Sequence, residues 1–176
     1  YAAEFPKGYF QFIWSSPLCT YYSIARTLRK TTEEEFNYAD SLVQKTLEII
    51  DFFGAHWAFE NPATGRLKTR PFLVALDLPW QDVTYCKYDG PRYKKQTRIW
   101  NSLGDHWQPR PVCCKDSRCE HFANGVHPVT AQRGPCRCTS AKRRVGDDFT
   151  QNQLYHIPAA LCDEIARAAE SALREN

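Results

Sequence analysis

The sequence predicts an α/β fold, and three observations carry that prediction. Two short segments, Phe10-Gln-Phe-Ile-Trp14 and His56-Trp-Ala-Phe-Glu60, are rich in aromatic and β-branched residues, and each is halted by a proline soon after. Between them lies a long stretch whose apolar residues recur at helical spacing. Further on, residues 111 to 148 are rich in Cys, Gly, Pro, Arg and Lys and show no sustained period. A strand, helix, strand succession makes the two strands parallel neighbours, with the helix as the crossover. The aperiodic stretch is then an irregular insertion in that α/β body.

Each element has its own local warrant. Pro6 and Gly8 form a turn that feeds the first strand, and Ser15-Ser16-Pro17 ends it, leaving Cys19 in the loop beyond. A thiol just past a strand end stands where open α/β sheets usually place their chemistry. Ile24 to Lys30 is basic and fits either a short helix or a flap. The helix spans about 32 to 53: Thr32 followed by Glu35 is a capping box, Glu33 and Glu34 suit the positive end of the helix, and Phe36, Ala39, Leu42, Val43, Leu47 and Ile50 form one face. Gly54 stops it. The second strand then delivers Glu60 to its end, followed by turn residues Asn61 to Gly65. Residues 72 to 78 suit a short helix. Val83 to Tyr88 alternates like a strand, Asp89-Gly90 is a turn signal, and Thr97 to Asn101 reads as its hairpin neighbour. Leu161, Ile165, Ala168, Ala169, Ala172 and Leu173 describe the buried face of a closing helix, with Pro158 at or near its first turn.

Composition narrows the class of function. At 176 residues and 43% hydrophobic, the chain is long enough for one sizeable core and is no disordered tail. A net charge of +3 neither demands nor excludes a nucleic-acid partner. No apolar run approaches the roughly 20 residues that span a bilayer, and no secretory signal opens the chain, so a soluble, intracellular protein is expected. The chain contains no methionine and opens on Tyr1, from which a processed chain or a missing upstream part is expected.

The eight cysteines are unevenly placed. Cys19, Cys86 and Cys162 stand alone, whereas Cys113, Cys114, Cys119, Cys136 and Cys138 cluster with His121 and His127. Clustering with histidine favours a metal over a disulfide framework. Two readings stand open: free or partly oxidised thiols, or a tetrahedral zinc site that would use Cys114, Cys119 and His127, with a fourth ligand from Cys113, Cys136 or Cys138, of which Cys136 is the leading choice. Four protein ligands would make such a zinc structural and would order an otherwise irregular segment. Arg133, Arg137, Lys142, Arg143 and Arg144 make that segment basic, which suits either phosphate contact or a solvated loop.

Four short strings in order carry a resemblance: Ser16-Pro17-Leu18-Cys19, Glu60-Asn61-Pro62, Gln96-Thr97-Arg98 and Ile157-Pro158-Ala159-Ala160-Leu161. Together they resemble motifs of the cytosine carbon-5 DNA methyltransferases, most closely the small, phage-like branch. The resemblance implies a partial Rossmann-like methyltransferase sheet carrying the Cys/His-rich insertion. Three regions follow: a catalytic α/β portion at 1–110, the basic Cys/His insertion at 111–148, and a C-terminal helix at 149–176 that returns to the α/β body. It implies Cys19 as the nucleophile on a flipped cytosine of DNA, Glu60 as the acid at the ring, and Arg98 as the orienting cation. Glu60 should then have a raised pKa, with Trp57, Phe59 and Pro62 as its apolar setting, and Cys19 a lowered one. The family's S-adenosylmethionine motif, Phe-x-Gly-x-Gly, has no counterpart here. It is expected before Tyr1 or from a partner chain that completes the sheet. Pro17-Leu18-Cys19 stands where the family has Pro-Pro-Cys, and Gln11 replaces an acidic residue of the strand. The alternative reading is a degenerate, inactive methyltransferase-like subunit of a larger assembly.

Overall fold

A four-stranded mixed sheet lies between two helices. The structure, a computed structural model, describes residues 1–24, 29–88, 93–123, 127, 129–130, 134–135, 153 and 155–175, with only the backbone at 129–130 and 134–135. Strand β1 (Phe12–Ser15) leads through a short 3-10 turn (Thr20–Tyr22) to helix α1 (Glu33–Phe53), and β2 (His56–Pro62) returns beside β1. Helix α2 (Pro71–Leu76), β3 (Trp80–Thr84), β4 (Gln96–Asn101), the two-residue strands β5 (Val129–Thr130) and β6 (Gly134–Pro135), and helix α3 (Ala159–Arg174) follow. The sheet order is β1-β2-β4-β3. Strands β1 and β2 are parallel, with Phe12 opposite His56 and Ser15 opposite Phe59, as the crossover requires.

Local chemistry fixes α1. The Thr32 side chain accepts from the Glu35 amide and the Glu35 carboxylate accepts from the Thr32 amide, a complete capping box, and three glutamates occupy the first turn. Gly54, at φ 62°, ends the helix in the left-handed region and donates back to Ile50 and Asp51.

Strand alternation then sorts the core into two halves. Phe59 and Trp100 point toward α1, where they stack at 5.0 Å and pack with Tyr22, Phe36, Ala39, Val43 and Leu67. Ala58, Val83 and Ile99 point the other way and pack against Leu161, Ile165 and Ala168 of α3. The C-terminal helix therefore covers the face that α1 leaves open. Both layers bury fully apolar side chains, so each face gains stabilisation from area removed from water.

Two expectations are corrected in detail. The strand expected at Val83 to Tyr88 begins at Trp80 and ends at Thr84, after which Tyr85–Lys87 forms a 3-10 turn. The antiparallel register sets this: Trp80 lies opposite Trp100, and Asp82 opposite Arg98, a long-range pairing that gives the Pro79-bounded segment its partners. Pro158, expected at or near the first turn of the closing helix, is the N-cap of α3. The stretch from 111 to 148 also contains a small antiparallel ladder, β5 with β6, where no regular structure was expected. No described helix is long and apolar enough to cross a membrane.

Candidate active site

The parallel pair delivers Cys19 and Glu60 to the same end of the sheet. Glu60 sits near the end of β2, and Cys19 follows the end of β1 as the N-cap of the 3-10 turn, whose Tyr22 amide donates to the Cys19 carbonyl at 3.1 Å. Asn61, next to Glu60, spans the gap: its Nδ2 donates to the Pro17 carbonyl at 3.0 Å. That bond ties the strand end holding the carboxylate to the loop holding the thiol. Three residues beyond the thiol, the buried Tyr22 hydroxyl donates to Asp40 Oδ1 of α1 at 2.7 Å, and Arg70 donates to Asp40 Oδ2 at 2.8 Å. The loop is thus held on both sides of Cys19.

Electrostatics couples the two groups. Glu60 is 8% exposed, and its Oε2 has no hydrogen-bond partner. Burial raises its pKa, while Lys95 and a hydrogen bond from Ser16 pull it partly back. Burial also pushes the Cys19 thiol up, the Glu60 carboxylate pushes it further, and Lys95 opposes both. The raised Glu60 agrees in direction with the sequence expectation, although Trp57 and Phe59 lie on the opposite face, packed toward α1. The expected lowering of Cys19 is not found. A neutral Glu60 removes the second of the two forces that hold the proton on sulfur.

Arg98 is not brought to this pair. It lies opposite Asn61 in the register, whereas Glu60 lies opposite Ile99, so the arginine projects from the other face of the sheet. There it makes a bidentate ion pair with Asp82, at 2.8 and 3.1 Å, and its guanidinium stacks 3.4 Å above the Trp80 ring. The cation that reaches Cys19 and Glu60 is Lys95, 7% exposed, with its Nζ 4.7 Å from the Tyr85 ring centroid. Sequence reasoning missed it. Alternation along the strand was the available signal, because 95, 97 and 99 fall on one face and 98 on the other.

The expected metal residues also separate. Cys114 is exposed, Cys119 is half-buried, and His127 is buried with its ring 6.4 Å from that of His121. Cys136 lies outside the described residues, as do Cys138 and the five basic residues Arg133, Arg137, Lys142, Arg143 and Arg144. The sulfurs that do meet are those of Cys86, Cys113 and Cys119, all within 4.8 Å of one another. Cys86 joins because the 3-10 turn after β3 carries it to the strand end, where the Cys113 amide donates to Thr84 Oγ1 at 2.8 Å.

Sequence comparison points to the same family as the motifs. A protein of frog virus 3 (isolate Goorha), named as a probable DNA (cytosine-5)-methyltransferase, is 26% identical over 175 residues, covering 94% of this chain and 78% of the relative. This similarity supports the resemblance to the cytosine-5 DNA methyltransferases. No family model and no solved structure matches it. In this chain the four-stranded sheet places the Pro-Leu-Cys loop and the Glu-Asn-Pro strand end side by side.

Proposed function

We propose that the protein methylates carbon 5 of cytosine in DNA, with Cys19 as nucleophile and Glu60 as the acid. The observation that carries this reading is the placement of a thiol and a buried carboxyl on the ends of two adjacent parallel strands, electrostatically coupled and tied by Asn61. Cytosine carbon 5 is a poor nucleophile until a thiolate adds at carbon 6. In the proposed reaction Cys19 Sγ forms that bond while a protonated Glu60 gives its proton to ring nitrogen 3, and carbon 5 becomes electron-rich. Losing its proton leaves Glu60 anionic on hydrogen-bonding terms with the ring, and Lys95 offsets that charge. Once carbon 5 carries its methyl group, elimination passes the carbon 5 proton to solvent and expels the Cys19 thiolate, and ring nitrogen 3 returns its proton to Glu60.

S-adenosylmethionine is the methyl donor that the family implies, and it supplies an electrophilic methyl group. The described residues offer no glycine-rich loop after a strand to hold it, so each step above is one carried out on the base by this chain's own side chains. The outer edges of β1 and β3 have no strand partner among the described residues. A duplex substrate must present its cytosine extrahelically to reach a sulfur held in this way.

The test incubates the chain with S-adenosylmethionine and a duplex containing 5-fluorocytosine, which blocks the final elimination and traps the covalent adduct. A protein-DNA adduct that disappears in Cys19→Ala is expected. No adduct with the intact protein, and identical behaviour of Cys19→Ala, would favour a binding subunit that has lost the reaction.

A further inference from the structure

Three sulfurs that no proposed catalytic step uses converge below β3. Cys86 and Cys113 are buried and Cys119 half-buried, and their Sγ atoms lie within 4.8 Å of one another without any disulfide. Three ligands at about 2.3 Å around a tetrahedral zinc ion stand about 3.8 Å apart, so the cluster needs only a small contraction to close on a metal. Three neutral thiols have little reason to gather, because a thiol is a weak donor and a weak acceptor. A shared cation gives the convergence a cause.

The surroundings fit that role. The Cys113 amide is held by Thr84 Oγ1, and the Cys113 carbonyl accepts from Lys94 Nζ at 2.8 Å. Lys87 Nζ donates to the Arg118 carbonyl at 3.0 Å, just before Cys119. The Cys114 amide closes a turn onto the Ser117 carbonyl, and the Phe122 amide closes another onto Cys119. Both turns fix backbone beside a ligand candidate. Two ammonium groups nearby offset the net negative charge of a divalent ion with three thiolates.

We infer that Cys86, Cys113 and Cys119 are three ligands of a structural zinc ion that pins the segment after Pro111 to the end of β3. Binding converts three thiols to thiolates, releases three protons to solvent and forms three metal-sulfur bonds, with no change of oxidation state. The fourth position takes a water or a donor from the same segment. This set differs from the one expected from spacing, since Cys86 lies far from the cluster in sequence and the exposed Cys114 is excluded. It is independent of whether the chain methylates DNA.

The chain is purified under reducing conditions without chelator, its metal content is read by native mass spectrometry, and zinc is then exchanged for cobalt. One zinc per chain is expected, with a thiolate-to-cobalt charge-transfer band. Alkylation mapping of the unmodified sequence covers the case in which substituted chains fail to fold. With metal bound, Cys86, Cys113 and Cys119 are protected while the exposed Cys114 and Cys162 react, and chelation opens the first three. Cys114→Ser keeps the metal. A zinc-free protein whose cobalt complex lacks the charge-transfer band overturns the inference. So does retention of metal in Cys86→Ser together with its loss in Cys114→Ser.

Discussion

Replacing Asn61 with alanine separates the placement of the thiol from its chemistry. The side chain is 1% exposed and makes one strut, from Nδ2 to the Pro17 carbonyl at 3.0 Å. A partly buried neutral hydrogen bond contributes about 0.5–1.5 kcal/mol net, so its loss lets the Pro17-Leu18-Cys19 loop leave its position up to about tenfold more often. The core is untouched, because Phe59 and Trp100 keep their stack. Two readouts should move in opposite directions: iodoacetamide labelling of Cys19 speeds up as the loop opens, while trapping on 5-fluorocytosine DNA slows by up to about tenfold. Global stability should fall by about 1 kcal/mol in urea denaturation. Unchanged labelling and unchanged trapping together would refute the strut. The labelling arm retains its meaning even in a protein that does not methylate.

Three more outcomes follow from the same geometry. Glu60 binds its proton more tightly folded than unfolded, so stability falls as pH rises from the unfolded carboxyl value of about 4.3 through the raised folded value; thermal melts of Glu60→Gln should exceed wild type at pH 7 and converge with it near pH 4. Arg98→Ala removes the bidentate pair with Asp82 and should cost about 1.5–3 kcal/mol of stability while leaving trapping per folded molecule near wild type, whereas Lys95→Met should abolish trapping in a folded protein; the reverse pattern would return the orienting role to the arginine. Thr32→Ala breaks the capping box and should lower unfolding free energy by about 1 kcal/mol without altering Cys19 labelling.

What was legible in the sequence was what is local. The helix from Thr32 to Gly54 announces both of its ends by capping chemistry, and the parallel pairing of β1 with β2 follows from having that helix between them. Cys19 and Glu60 were legible for the same reason, since each ends an apolar strand. The rest depends on register. Arg98 and Lys95 are three residues apart and both cationic, and only the pairing of Ile99 with Glu60 decides which cation faces the carboxylate. Cys86 was read as isolated because nothing nearby in sequence marks the 3-10 turn that carries it to Cys113 and Cys119. The start of β3 was misjudged for a related reason, as Trp80 and Asp82 become strand residues through their partners on β4.

The mooring of the nucleophile loop has a mechanical consequence. Pro17 is held from β2 and Tyr22 from α1, so four residues of chain separate two fixed points, with Cys19 among them. A span that short can tilt its sulfur but has no slack to carry it outward over any distance. In the proposed reaction the travel needed to bring reactants together therefore falls to the nucleobase, and the protein's share of the work is to keep the sulfur still.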